Sequence, residues 1–201
     1  MTGDDWPARV EATYAELLDD VRLEGVDDDV GPVAIDVPAD RWVDALTAAR
    51  DGLGCTFFDW LSAVDELDDG FRLVCHVAAR RPGALEHLVV RTLLPREGAT
   101  VASAAKVFAG ARWHERETHE MFGIDFTDDG GEVLALDRLL LPAEFEGHPL
   151  RKEFVLAARV AKPWPGAKEP GESDDAPAAK TSRRRGRPPG VPTRDEWGPH
   201  E

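Results

Sequence analysis

Two cysteines in 201 residues are too few to hold an iron-sulfur cluster unaided, and Cys55 and Cys75 do not form a Cys-x-x-Cys pair. Both sit in apolar, strand-like segments, which reads as two buried reduced thiols and not as a disulfide or a metal pair. No apolar stretch approaches the roughly 18 residues that span a bilayer. The first residues, Met1-Thr2-Gly3-Asp4-Asp5, are acidic where a signal peptide would be basic, so the expectation is a cytoplasmic chain with no direct membrane insertion. A glycine-rich phosphate loop between a strand and a helix, a Gly-x-Ser-x-Gly elbow and any internal repeat are also missing, which leaves nucleotide chemistry without a motif.

Positive charge is short as well. The chain has 24 Lys and Arg against 39 Asp and Glu, a net charge of −15. Residues 1 to 160 hold 16 against 32, and the remainder holds 8 against 7. An acidic body of net −16 is repelled by phosphate backbones and by anionic lipid surfaces, so the expected partners are proteins and not nucleic acid. From Ala161 onward come 8 of the 15 prolines and 5 glycines among small or charged residues, too little apolar surface to offset the entropy of ordering. Residues 1 to 160 therefore read as the domain, and 161 to 201 as a Pro/Gly-rich tail, disordered alone or wrapped on a partner through Trp164 and Trp197. Within that tail Arg183-Arg184-Arg185-Gly186-Arg187-Pro188 is like an AT-hook. One hook on so acidic a body would bind DNA weakly, and a solvated or protein-docking basic tail is the simpler reading.

Apolar periodicity gives the elements. Trp6, Val10, Tyr14, Leu17 and Leu18 recur at helical spacing over 6 to 21, and Val33 to Val37 reads as a strand. Pro38 and Asp40 open a second helix through Trp42, Val43, Leu46 and Ala49, which Gly52 and Gly54 close. Three strand-like runs follow, Cys55 to Leu61, Phe71 to Ala78 and Leu85 to Leu93, joined through Asp68-Asp69-Gly70 and Arg81-Pro82-Gly83 as an antiparallel meander. The spacing then predicts a long helix over about Val101 to Met121 and irregular chain beyond Gly123. This is an α+β pattern, an antiparallel sheet with one helical layer followed by an irregular C-terminal extension.

Three segments carry chemistry-bearing side chains. His114-Glu115-Arg116-Glu117-Thr118-His119 looks at first like a zinc-protease helix, but histidines five apart are separated by roughly 140° on a helix, where four apart would share a face. Trp113, Arg116, Glu117 and Glu120 do share a helical arc of roughly 100°. That face is either solvated charge around a partly covered Trp or an ion-pair patch around a Trp anchor at a protein interface. In Phe145-Glu146-Gly147-His148-Pro149-Leu150-Arg151-Lys152 a glycine permits an unusual backbone angle and a proline stiffens the next step, so the loop holds a shape. It reads as a packed turn, a partner contact or an acid/base site of His148 with Glu144 or Glu146.

Taken in order and spacing, these segments form a pattern. Glu115-Arg116-Glu117, Glu120-Met121-Phe122-Gly123-Ile124, Arg138-Leu139-Leu140-Leu141-Pro142 and the loop 145 to 152 resemble the signature of the C-type subunit of bacterial NADH-quinone oxidoreductase, the respiratory complex I 30 kDa subunit family. The match covers about residues 113 to 154 closely and the α+β region before it more loosely. His119-Glu120 stands where the family usually has an aromatic-Asp pair, and Thr127-Asp128-Asp129-Gly130-Gly131 where it has a His-Pro stretch. The resemblance implies a peripheral-arm subunit at the cytoplasmic face of the cell membrane, packed against the D-type quinone-site subunit and the B-type iron-sulfur subunit. It implies no catalytic residue and no cofactor in this chain, with FMN, iron-sulfur clusters and the quinone site in partner subunits. Its partner interface would comprise Trp113, Arg116, Glu117, Glu120, Arg138, His148, Pro149, Arg151 and Lys152. Related subunits serve membrane-bound hydrogenases and complexes fed by other donors, so NADH follows from the family's majority.

Overall fold

Alternation is clearest in the strand Phe71–Arg81, where Phe71, Leu73, Cys75 and Val77 are buried while Arg72, Val74 and His76 are half-buried. A strand with this period covers one face and leaves the other open. The computed structural model describes residues 6–25 and 31–154. In it this strand is β4 of a five-stranded sheet, with β1 (Leu23–Glu24), β2 (Val33–Asp36), β3 (Phe57–Asp65) and β5 (Ala84–Leu94) in the order β1-β2-β5-β4-β3. The β3-β4-β5 meander is antiparallel as expected. Its second turn is tight: Arg81 pairs with Ala84, and Pro82 followed by Gly83 at φ 81° is the combination a type II turn requires.

Two helices, α1 (Trp6–Ala15) and α2 (Trp42–Asp51), supply the apolar cover. Val10, Tyr14, Trp42, Leu46, Phe71 and Cys75 are all at 0% exposure within one core cluster. Each large apolar side chain of this kind contributes about 1.5–3 kcal/mol by leaving water. The buried hydroxyl of Tyr14 donates to the Ala45 carbonyl at 2.9 Å, so the α1–α2 contact carries no unpaired polar atom at that point. The other sheet face carries a band of ion pairs, Glu66–Arg72–Asp36–Arg91–Glu24, across its strands.

Three expectations change. The sheet is mixed, because β2 pairs with β5 in parallel, Val33 opposite Leu88. The opening helix stops at Ala15, where the Leu17 and Leu18 N–H groups both fold back onto the Tyr14 carbonyl. The long helix over 101 to 121 is two elements, strand β6 (Thr100–Ala102) and helix α3 (Ala111–Phe122), and the segment expected to be irregular beyond Gly123 supplies strand β7 (Asp125–Thr127) beside β6. Val101, Ala104, Phe108 and Ala111 are all buried and their spacing imitates a helix, but the backbone bonds of 100–102 go to β7. Buried Glu115 then takes the Ser103 hydroxyl and the Ala104 N–H, both at 2.7 Å, and fixes the turn in between. No helix among the described residues is long and apolar enough to cross a membrane. The tail with Trp164, Trp197 and the Arg183-to-Pro188 run lies outside the described residues, as does the domain boundary at 160.

Candidate docking surface

Helix α3 ends on Gly123 at φ 72°, the left-handed stop for which glycine is the usual residue. A Cβ there would collide with the side chains of Arg151 and His148. That crowding shows how the signature loop returns. Three carbonyls at the end of α3 have no partner within the helix, and the loop satisfies each of them. The Glu120 carbonyl takes His148 Nδ1 at 2.8 Å, the Met121 carbonyl the Leu150 N–H at 3.1 Å, and the Phe122 carbonyl Arg151 Nε at 2.6 Å. The positive charge of Arg151 also suits a helix C-terminus.

The side chain of Glu120 does the converse. The residue is 7% exposed, and its carboxylate accepts the N–H groups of Leu139, Leu140 and Leu141 at 2.6, 2.7 and 3.4 Å. Burial alone would raise its pKa, but those three donors outweigh it, so the carboxyl titrates below the ordinary glutamate range. Arg116 reaches the same loop from one turn earlier, donating Nε to the Asp137 carbonyl at 2.8 Å and Nη2 to the Arg138 carbonyl at 2.7 Å. Its guanidinium also lies 5.1 Å from the centroid of the Trp113 ring. Arg138 closes the loop on itself through the Pro142 carbonyl at 2.5 Å and the Phe145 carbonyl at 3.3 Å. Gly147 takes φ 89°, and the rings of Phe145 and Phe154 lie 5.8 Å apart across it.

Most residues singled out from the sequence are thus brought together, but in a role that their types did not disclose. Arg116, Glu120, Arg138, His148 and Arg151 hold backbone groups of their own chain. Glu117 and Pro149 are half-buried beside them, and Lys152 is exposed while its N–H is bound to Asp65. Among exposed charges such as Glu144, Glu146 and Lys152, this polar framework also holds large apolar side chains outward: Trp113, Leu140 and Leu150 are 59%, 56% and 53% exposed. Sequence reasoning passed over Asp65, whose carboxylate meets the loop 87 positions later. No local motif marks it.

The histidines of the two motifs serve backbone contacts. His148 bonds the Glu120 carbonyl, not Glu144 or Glu146, which are both exposed at the surface. His114 turns to the Leu61 carbonyl and His119 to that of Ile124, each at 3.1 Å, so the two histidines serve different contacts. Among the described residues no group of three or more His, Cys, Asp or Glu is placed to hold a metal ion. Cys55 and Cys75 are free and buried; burial pushes the Cys55 thiol up to about 12 and raises that of Cys75 as well. The cleft between the end of α3 and the loop, lined by His119, Glu120, Arg138 and His148, has about 220 Å³, small beside the roughly 300–1,000 Å³ of most ligand sites.

The family described as the respiratory-chain NADH dehydrogenase 30 Kd subunit matches residues 35–160. The chain belongs to that family. Among relatives, the C-type subunit of NADH-quinone oxidoreductase from Roseiflexus castenholzii is 35% identical over 133 residues, 64% of this chain and 72% of the relative. The corresponding subunit from Citrifermentans bemidjiense is 32% identical over 138 residues, covering 68% and 82%. One from Rhizobium meliloti is 35% identical over 134 residues, covering 65% of this chain and 63% of the relative. Two solved structures share the fold. A chain of the membrane-bound sulfane sulfur reductase, an archaeal respiratory membrane complex, aligns with TM-score 0.60 and 24% identity over 86% of this chain and 98% of that one. A trypsin-resistant fragment of Nqo5 aligns with TM-score 0.50 and 22% identity over 64% and 99%. For the 30 kDa family member described here, α3 and the loop behind it fall inside the matched residues.

Proposed function

We propose that this chain is a non-redox structural subunit of the peripheral arm of a proton-translocating NADH-quinone oxidoreductase. It docks through α3 and residues 137–154 against the quinone-site and iron-sulfur subunits, at the cytoplasmic face of the cell membrane. The observation that carries the reading is the pairing of a rigid polar framework with exposed apolar anchors: Trp113, Leu140 and Leu150 stand out from a region whose backbone is held by Glu120 and Arg116. Ordering such a loop before binding removes part of the entropy cost of association. A large aromatic ring beside an arginine is the residue pair enriched at interface hot spots. In this reading FMN, the iron-sulfur clusters and the quinone reside in partners, and electrons pass from NADH to quinone through the whole complex and not through this chain.

The test is to purify the tagged full chain from detergent-solubilised membranes of its source. The quinone-site and iron-sulfur subunits, iron, flavin and NADH-quinone reductase activity should come with it, while the chain expressed alone should carry neither a flavin band nor stoichiometric iron or zinc. Recovery of the chain without those partners, or metal bound to the isolated protein, would overturn the assignment.

A further inference from the structure

The segment after Pro149 leaves the end of α3 and turns toward the sheet, and its path is set by a residue of the sheet. Asp65 is the last residue of β3 and is 3% exposed. Its Oδ1 accepts Arg96 Nη1 at 2.6 Å and the Leu67 N–H at 2.9 Å, and its Oδ2 accepts the Lys152 N–H at 2.8 Å. Three separate stretches of chain therefore meet on one carboxylate: the β3–β4 turn, the exit from β5 and the end of the signature loop. Each is constrained apart from Asp65. Leu67 sits at φ 59°, an uncommon angle for a residue with a side chain, and a Cβ at Gly70 would run into the Leu94 carbonyl. Arg96 also pairs with Glu153, and the guanidinium groups of Arg96 and Arg151 lie 5.3 and 5.2 Å from the centroid of the Phe71 ring. A carboxylate with both oxygens engaged by directed donors has little freedom, so Lys152 inherits the fixed position of the sheet edge.

We infer that Asp65 is a positioning residue for the docking loop: buried and out of reach of any partner, it fixes where residues 149–152 are presented. Its purpose rests on the docking reading above, but the tie itself can be measured without a partner.

Hydrogen exchange on the isolated full chain, comparing wild type with Asp65→Asn, reads the tie directly. The substitution keeps the shape and removes the charge and one acceptor. Amides of 150–154 should exchange about tenfold faster or more, while those of α2 stay within about twofold. Acceleration confined to 66–70 would make Asp65 a turn residue only, and uniform acceleration would make it a general core residue; either result overturns the inference. If Asp65→Asn does not fold, Arg96→Gln, which leaves the carboxylate in place and removes its cation, should loosen 150–154 in the same pattern, and an unchanged pattern is again a refutation. Affinity for the partner subunits is measured on the same variant. A loosened loop with a Kd raised about tenfold or more supports both readings, and a loosened loop with unchanged affinity leaves the tie standing while removing this loop from the docking surface.

Discussion

The sheet with α1 and α2 is held together by apolar burial, and α3 joins the same cluster through Ala111 and Phe122, whereas the loop behind α3 is held by side chains that reach backbone groups. In the first region Trp42, Leu46, Phe71 and Ile35 are fully buried in one apolar cluster. In the second, Glu120, Arg116 and Arg138 occupy N–H groups and carbonyls of the loop, His148 and Arg151 reach from it to carbonyls at the end of α3, and the large apolar side chains of Leu140 and Leu150 face outward. The two regions solve different problems. A core excludes water from what it packs, while a loop that docks as proposed must keep its apolar groups available and still hold its shape.

The contrast is tested most severely from the core side. Leu46→Ala should remove about 2–5 kcal/mol and lower the melting temperature of the entire described domain, with amides of both regions exchanging faster. A change limited to α2 would mean that the core is not shared. Next comes Glu120→Ala, which leaves three loop N–H groups without their acceptor and should cost roughly 1–3 kcal/mol, seen as faster exchange over 137–150 with α2 unaffected. Equal loosening of both regions would erase the distinction.

Acid should separate the regions in the same direction. Asp65 is driven down to about 2: burial opposes this, but the Arg96 guanidinium and the Lys152 and Leu67 N–H groups prevail. A group with a depressed folded-state pKa adds stability above its unfolded pKa and loses it as pH falls through the folded one. The Asp65 contribution is therefore complete at neutral pH and disappears as pH drops from the ordinary aspartate value of 3.8 to about 2, and that of Glu120 likewise fails below the ordinary glutamate value of 4.5. Glu115 has the opposite sign, since burial raises its pKa and the Ser103 and Ala104 hydrogen bonds offset this only in part, so protonating it relieves a cost. Amide exchange over 137–154 should consequently respond to acid before that of the α1–α2 core does. The smallest effect on the isolated chain belongs to Trp113→Ala, expected within about 0.5 kcal/mol because the ring is 59% exposed. Under the proposed docking, the same variant should weaken association with the quinone-site and iron-sulfur subunits by about 2 kcal/mol or more, as removal of an interface anchor does. An unchanged affinity would move the docking surface elsewhere.

How far the sequence disclosed this arrangement depends on how local the cause was. Pro82-Gly83 and the alternation of Phe71, Leu73, Cys75 and Val77 were readable because turn and pleat are settled by neighbours. The stretch from Val101 to Ala111 was not, because its helical spacing competes with a β7 partner more than twenty residues away in sequence. The signature residues were identifiable as a set, yet their types show only what they can bond, not whose carbonyl they reach. Arg116 illustrates the point: a charge expected to serve partners has two acceptors in its own chain. Asp65 had no signal at all, since the loop N–H that it holds lies 87 positions on.

Buried Cys55 and Cys75 carry a practical consequence. With the Cys55 thiol pushed up to about 12 and the Cys75 thiol raised too, neither offers appreciable thiolate at neutral pH, and neither side chain meets solvent. The native protein should therefore react slowly with maleimides, so a single Leu140→Cys or Leu150→Cys substitution would give a preferentially addressable site. A fluorophore or spin label attached there would report the approach of another molecule to this surface from an otherwise unmodified chain.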